Sequence, residues 1–101
     1  MLQNFDPNQN YYSYKDNNTV PLVFIHGVGL DQQMWEPQIV ALKEYSTITY
    51  DLLGHGKTIY NKEKVTLDDF SKQLTSILSF LKILILILVG SKNHLMLHHL
   101  Y

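Results

Sequence analysis

Three short runs limit what this chain can build. Pro21-Leu22-Val23-Phe24-Ile25, Ser46-Thr47-Ile48-Thr49-Tyr50 and residues Leu84 to Val89 are apolar or β-branched, so each reads as a strand with both faces buried. Two helical patterns lie between them. Trp35, Ile39 and Leu42 recur at helical spacing, Pro37 suits a first turn, and a helix is expected near residues 36–44. Thr66 followed by Asp68 and Asp69 has the form of a helix N-cap with acids in the first turn. Leu67, Phe70, Leu74, Ile77, Leu78 and Leu81 then make one apolar stripe. Strand, helix, strand, helix, strand implies right-handed crossovers and a mostly parallel sheet with flanking helices, an α/β architecture.

Upstream, Tyr11 to Lys15 is β-prone and Asp16-Asn17-Asn18 favours a turn, which predicts a strand and a hairpin turn there. Met1 to Asn10 is polar, with neither a basic start nor an apolar stretch, so no secretory signal is read and a cytoplasmic location is expected. The apolar stretch Ile77 to Val89 is interrupted by Ser79 and Lys82 and falls short of the roughly 18 residues a membrane helix needs. A membrane partner is therefore not expected. Net charge is −1; residues 1–50 hold five acids and two Lys, and residues 51–101 hold four acids and six Lys, so neither half has the basic stripe that nucleic acid requires. The absence of Cys removes disulfides, thiolate metal sites and thiol nucleophiles.

The glycine-bearing loops fall at the carboxyl ends of the expected strands, where sheets of this kind bind ligands: His26-Gly27-Val28-Gly29 after the first, and Asp51 with Gly54 and Gly56 after the second. A strand followed by Gly-x-Gly, with an acid 22 residues on at Asp51, also admits a dinucleotide-binding βαβ module. The third glycine of that pattern is Gln32, and Pro37 starts the helix too late for its N-terminus to meet a pyrophosphate.

Pro21 to Gly29, then Trp35, then Tyr50-Asp51-Leu52-Leu53-Gly54-His55-Gly56-Lys57-Thr58 together resemble the α/β-hydrolase family, in particular its enol-lactonase, esterase and epoxide-hydrolase-like branch. The likeness runs from about Tyr11 to Gly90. It implies a small-molecule ester, lactone or similar substrate, an activated Ser, and no cofactor or metal. It also implies that the loop His26-Gly27-Val28-Gly29 contributes a backbone N–H, by position that of Val28, to an oxyanion hole. In the same pattern His26 orders that loop through hydrogen bonds, while Trp35, Asp51, Gly54, His55 and Gly56 are structural, Asp51 bonding the turn.

Past the third strand the pattern breaks. The family's G-x-S-x-G would begin at Gly90, which puts Lys92 at the nucleophile position and His94 at the last glycine, with Ser91 one residue out of register. No residue is assigned as catalytic. His94 and His98 have an i, i+4 metal spacing but no third ligand, and with His99 they read as an unpacked tail. A length of 101 residues is also small beside the roughly 200 to 300 of an α/β enzyme. The expected organisation is residues 1–90 as the N-terminal part of an α/β-hydrolase domain, truncated after the third parallel strand, and 91–101 as a divergent tail. The apolar seam from Leu81 to Val89 fits a frame change near Gly90 in an A/T-rich gene. The strand ending at Val89 is then expected to have an uncovered edge through which the chain self-associates.

Overall fold

The computed structural model describes residues 2–62, 64–81, 85–90 and 95–100, with side chains described for 4–62 and 64–81. Six strands form one sheet: β1 (Leu2–Phe5), β2 (Tyr11–Lys15), β3 (Leu22–Ile25), β4 (Thr47–Tyr50), β5 (Ile85–Gly90) and β6 (Leu95–Leu100), in the order β1-β2-β4-β3-β5-β6. Two helices connect the parallel centre, α1 (Glu36–Ala41) between β3 and β4, and α2 (Leu67–Leu81) between β4 and β5. β3 runs parallel to both neighbours, pairing Val23 with Ile48 on one side and with Ile87 on the other. The remaining pairings are antiparallel, so the parallel part is confined to β4, β3 and β5.

The two helices cover opposite faces, as right-handed crossovers require when the chain moves first one way along the sheet and then the other. On the α2 face Tyr12, Val23, Ile48 and Tyr50 pack with Ile77 and Leu78 to form the apolar core. On the other face Phe24 meets Trp35 with ring centroids 5.0 Å apart. This second face is more polar, since Ser13, Thr47 and Thr49 are buried there by strand alternation.

Helix α2 begins as expected. The Thr66 hydroxyl accepts the Asp69 N–H at 3.1 Å while the Asp69 carboxylate accepts the Thr66 N–H at 2.9 Å, a reciprocal capping box with Asp in place of Glu. Those bonds hold the exposed Asp69 carboxyl below its usual range. The apolar stripe needs one correction: Leu67 is 85% exposed, because the first turn stands clear of the sheet and packing starts at Phe70. Helix α1 is shorter than expected. Asp31 accepts the Gln33 N–H at 2.8 Å and starts a 3₁₀ turn over Gln32–Trp35, so Trp35 belongs to that turn and α1 follows from Glu36.

Two expectations about chain direction are corrected. Asp16-Asn17-Asn18 does turn, with Asp16 accepting the Asn18 N–H at 3.0 Å, but no hairpin results because β4 lies between β2 and β3. The turn instead clasps the α1–β4 connection, Asn17 N–H donating to Ser46 Oγ at 2.7 Å and Ser46 N–H to Thr19 Oγ1 at 2.8 Å. The hairpin of this region is β1–β2, from a polar segment with no strand signal. It is closed by buried Asp6, whose Oδ1 accepts the Asn8 and Asn10 N–H groups, each at 2.9 Å. At the far side, Leu95–Leu100 is not an unpacked tail. It pairs antiparallel with β5, Leu88 opposite Leu97, and so satisfies the backbone edge that was expected to be uncovered. Lys82 to Leu84 and Ser91 to His94 lie outside the described residues. No helix among the described residues is long and apolar enough to cross a membrane.

The helix assignment is checked by paired truncations. Ile77→Ala, at a fully buried site, is expected to cost about 2–5 kcal/mol in urea unfolding, and Leu67→Ala less than about 0.5 kcal/mol. Equal effects would refute the packing face.

Candidate functional site

At the carboxyl end of β3 the chain passes into His26, which is 2% exposed. Its Nε2 accepts the Leu52 N–H at 2.9 Å, so the ring proton resides on Nδ1, which donates to the Gly27 carbonyl at 2.7 Å. Burial pushes the His26 pKa below its ordinary value, with His55 adding to the effect and the Gly27 carbonyl, Asp51 and Asp31 opposing it. His55 repeats the arrangement from the opposite loop. Its Nε2 accepts the Gly29 N–H at 2.9 Å and its Nδ1 lies 3.0 Å from the Leu53 carbonyl. The two rings stand 5.3 Å apart, so each loop end is bonded to an imidazole of the other.

Residues 27–30 form a turn closed by the Leu30 N–H to Gly27 carbonyl bond at 3.2 Å, and Gly29 sits in it at φ 87°. Positive φ at the third turn position calls for Gly, whereas Gly27, also expected to aid the bend, takes no such conformation. Val28 occupies the corner, 79% exposed, and its N–H has no hydrogen-bond partner among the described residues.

Asp51 ends β4 and is buried beneath both loops. Its Oδ1 accepts the Gln32 N–H and its Oδ2 the Lys57 N–H, each at 2.9 Å, which joins the segment after β3 to the turn after β4. That turn is closed by Gly54 N–H to Thr58 carbonyl at 3.0 Å, with Gly54 and Gly56 at φ 76° and 50°. A Cβ on Gly56 would be driven into the Asp51 carboxylate, so the glycine is required by space as well as by φ. With both oxygens engaged by backbone, Asp51 is not free to bind a ribose, and the dinucleotide alternative loses its acid.

The site residues read from sequence therefore converge: His26, Gly27, Val28 and Gly29 on one loop, Asp51, Gly54, His55 and Gly56 on the other, with Trp35 buried beside Phe24. Three further residues carry the assembly without having been singled out for it. Gln73 of α2 donates to the Asp51 carbonyl at 2.9 Å and to Asn10 at 3.1 Å, and accepts the Leu53 N–H at 3.1 Å. Gln32 accepts from Ser13 at 2.8 Å and from Thr49 at 2.6 Å. Thr58 accepts the Tyr11 N–H at 3.0 Å. The signal for Gln73 was its place between Phe70 and Ile77 on an otherwise apolar stripe.

A cavity of about 560 Å³ opens between α1, β2 and β4, lined by Ser13, Gln32, Ile39, Val40, Thr49 and Lys57 among others. Val28 does not line it. On the other flank, the register Ile25 opposite Val89 brings the end of β5, at Gly90, beside the start of the His26 loop. Ser91, Lys92, Asn93 and His94 lie outside the described residues, and His98 and His99 are placed only as backbone positions of β6.

Gly56→Ala is expected to destabilise the fold by more than about 1 kcal/mol, read as a fall in urea midpoint. His26 has a second signature. Because its native pKa is lowered, the folded state prefers the neutral ring; its contribution is complete above pH 6.5 and is lost as pH falls below that value. The parent chain should lose more stability than His26→Asn between pH 7.5 and pH 5.5. Parallel profiles would contradict the buried neutral imidazole.

Comparison with known proteins places this architecture. No family profile matches the chain. Over 67 residues it is 39% identical to 3-oxoadipate enol-lactonase 1 of Acinetobacter baylyi, which covers 65% of this chain and 25% of that protein. The crystal structure of the enol-lactonase from Burkholderia xenovorans superposes with a TM-score of 0.69 at 25% identity, covering 81% of this chain and 34% of that one. A hydrolase from Pseudomonas aeruginosa shares the fold with a TM-score of 0.74 at 20% identity, covering 89% of this chain and 36% of that one. The chain spans about a quarter of the length of the curated relatives it matches. With the strand order and the paired loops, the chain has the fold of the α/β-hydrolase superfamily over the part it spans, and its sequence likenesses point to the same superfamily.

Proposed function

We propose that this chain carries the oxyanion-binding half of a serine-hydrolase site and does not complete the reaction by itself. The observation that carries this reading is the Val28 N–H, at the corner of the turn after β3 and without a partner among the described residues. When a nucleophile adds to an ester or lactone carbonyl, the electron pair of the C=O bond moves onto oxygen, and a fixed N–H donor is strongest for that developing anion. Val serves there because the donor is backbone. The parent reaction is hydrolysis of an ester, lactone or similar bond in a small molecule, the chemistry named for the enol-lactonases that this chain resembles.

No residue among the described ones is assigned to the other half of the reaction. At the position where the family pattern puts the nucleophile stands Lys92, and Ser91 is one residue away from it. The triad acid and histidine belong to the part of the pattern that follows the nucleophile, beyond the span matched here. Treatment of the intact chain with a fluorophosphonate probe is expected to leave its mass unchanged. An adduct mapped to Ser91 would overturn the reading.

A second reading concerns partners. β6 is an edge strand whose residues, Leu95-Met96-Leu97-His98-His99-Leu100, include none of the Lys, Glu or Pro that blunt exposed edges. We infer that copies of the chain self-associate along it. The sedimentation coefficient should rise with protein concentration and Leu97→Lys should suppress the rise; a concentration-independent monomer would contradict it.

A further inference from the structure

We propose that His55 is a second positioning residue for the Val28 N–H beside His26, the two rings acting as neutral imidazole clips on the peptide planes either side of it. The inference rests on the oxyanion-loop reading for its purpose, but its geometry stands independently of any reaction.

A trans peptide holds its C=O and N–H in one plane, pointing in opposite directions. The Gly27–Val28 plane is fixed at its carbonyl, which accepts His26 Nδ1–H at 2.7 Å and the Leu30 N–H at 3.2 Å. With that carbonyl held, the Val28 N–H is turned the opposite way. The next plane, Val28–Gly29, is fixed at its other end, where the Gly29 N–H donates to His55 Nε2 at 2.9 Å. Among the described residues the Val28 N–H thus has no partner, while both peptide groups that flank it are held. Neither ring hangs loose: His26 Nε2 is occupied by the Leu52 N–H, and His55 Nδ1 by the Leu53 carbonyl.

Each clip needs the same tautomer, with the proton on Nδ1 and the lone pair on Nε2. Protonation removes the Nε2 acceptor. At His55 that releases the Gly29 N–H directly; at His26 it opposes the Leu52 N–H and so loosens the ring that holds Gly27. Among the described residues, the charged or titratable groups that face His26 are His55 from the opposite loop, Asp51 from the end of β4 and Asp31 from the segment before α1. His55, its ring 5.3 Å away, also opposes the charging of His26. Acid is therefore expected to undo the aim of the Val28 N–H while the apolar core on the α2 face persists.

The test is nitrogen-15 NMR of the intact, histidine-labelled chain. Both rings should show a protonated Nδ1 and an unprotonated Nε2 at pH 8. His55→Gln keeps an acceptor near the ε position and should hold the Val28 and Gly29 amide resonances in place at pH 8. His55→Phe should displace both already at pH 8, with core amides such as Ile48 unmoved. A protonated Nε2 on His55, or Val28 and Gly29 amides unchanged in His55→Phe, would overturn the proposal. If His55→Phe does not fold, the tautomer spectrum of the parent chain decides. Failure of the hydrolase reading would leave these outcomes untouched, since none depends on turnover.

Discussion

The Asp51 carboxylate is the contact on which the rest of this structure depends. It is buried where β4 ends and accepts one backbone N–H from the segment after β3 and one from the turn after β4. Its own N–H reaches the Tyr11 carbonyl of β2 at 3.0 Å, and its carbonyl accepts from Gln73 of α2. One residue thus joins two strands, two loops and a helix. A buried carboxylate is expensive unless hydrogen-bonded, and here both oxygens are bonded to backbone donors that would otherwise be orphaned. Gly56 follows from the same contact, because only a residue without Cβ lets the turn close against those oxygens.

This hub divides the molecule into an apolar half and a polar one. On the α2 face, stability comes from burial of Tyr12, Val23, Ile48, Tyr50 and Ile77. On the α1 face polar Ser13, Gln32, Thr47 and Thr49 are buried beside Phe24 and Trp35, and α1 itself buries none of its residues. Helix α1 is consequently held at its ends more than along its length. Asp31 caps the turn before it, and Lys15 bonds the Leu42 carbonyl after it at 3.0 Å.

How much of this was legible in the sequence depended on how local the signal was. The three parallel strands and α2 announced themselves by continuous apolar runs and by a stripe at helical spacing, patterns that burial imposes directly. The loop motifs were legible because their glycines and acid serve needs that few residues can meet, as Gly56 shows beside Asp51. β1 was invisible, since Leu2-Gln3-Asn4-Phe5 has no apolar pattern and is held by pairing with β2 and by the Asp6 cluster at its end. Gln73 and Gln32 were hidden for another reason. A buried amide looks like any polar residue until the carbonyls and N–H groups that it bonds have been brought together from distant sequence. β6 followed from neither propensity nor motif but from the open edge of β5, a consequence of strand order.

The functional account reduces to a loop in which the Gly27 carbonyl and the Gly29 N–H are held while the Val28 N–H between them has no partner among the described residues. Residue-resolved amide hydrogen exchange on the intact chain tests this most directly. The account predicts slow exchange for Gly29, Gln32, Leu52 and Lys57, whose N–H groups are bonded to imidazole or carboxylate, and rapid exchange for Val28 between them. Rapid exchange across all five, or a Val28 amide as protected as its neighbours, would contradict it.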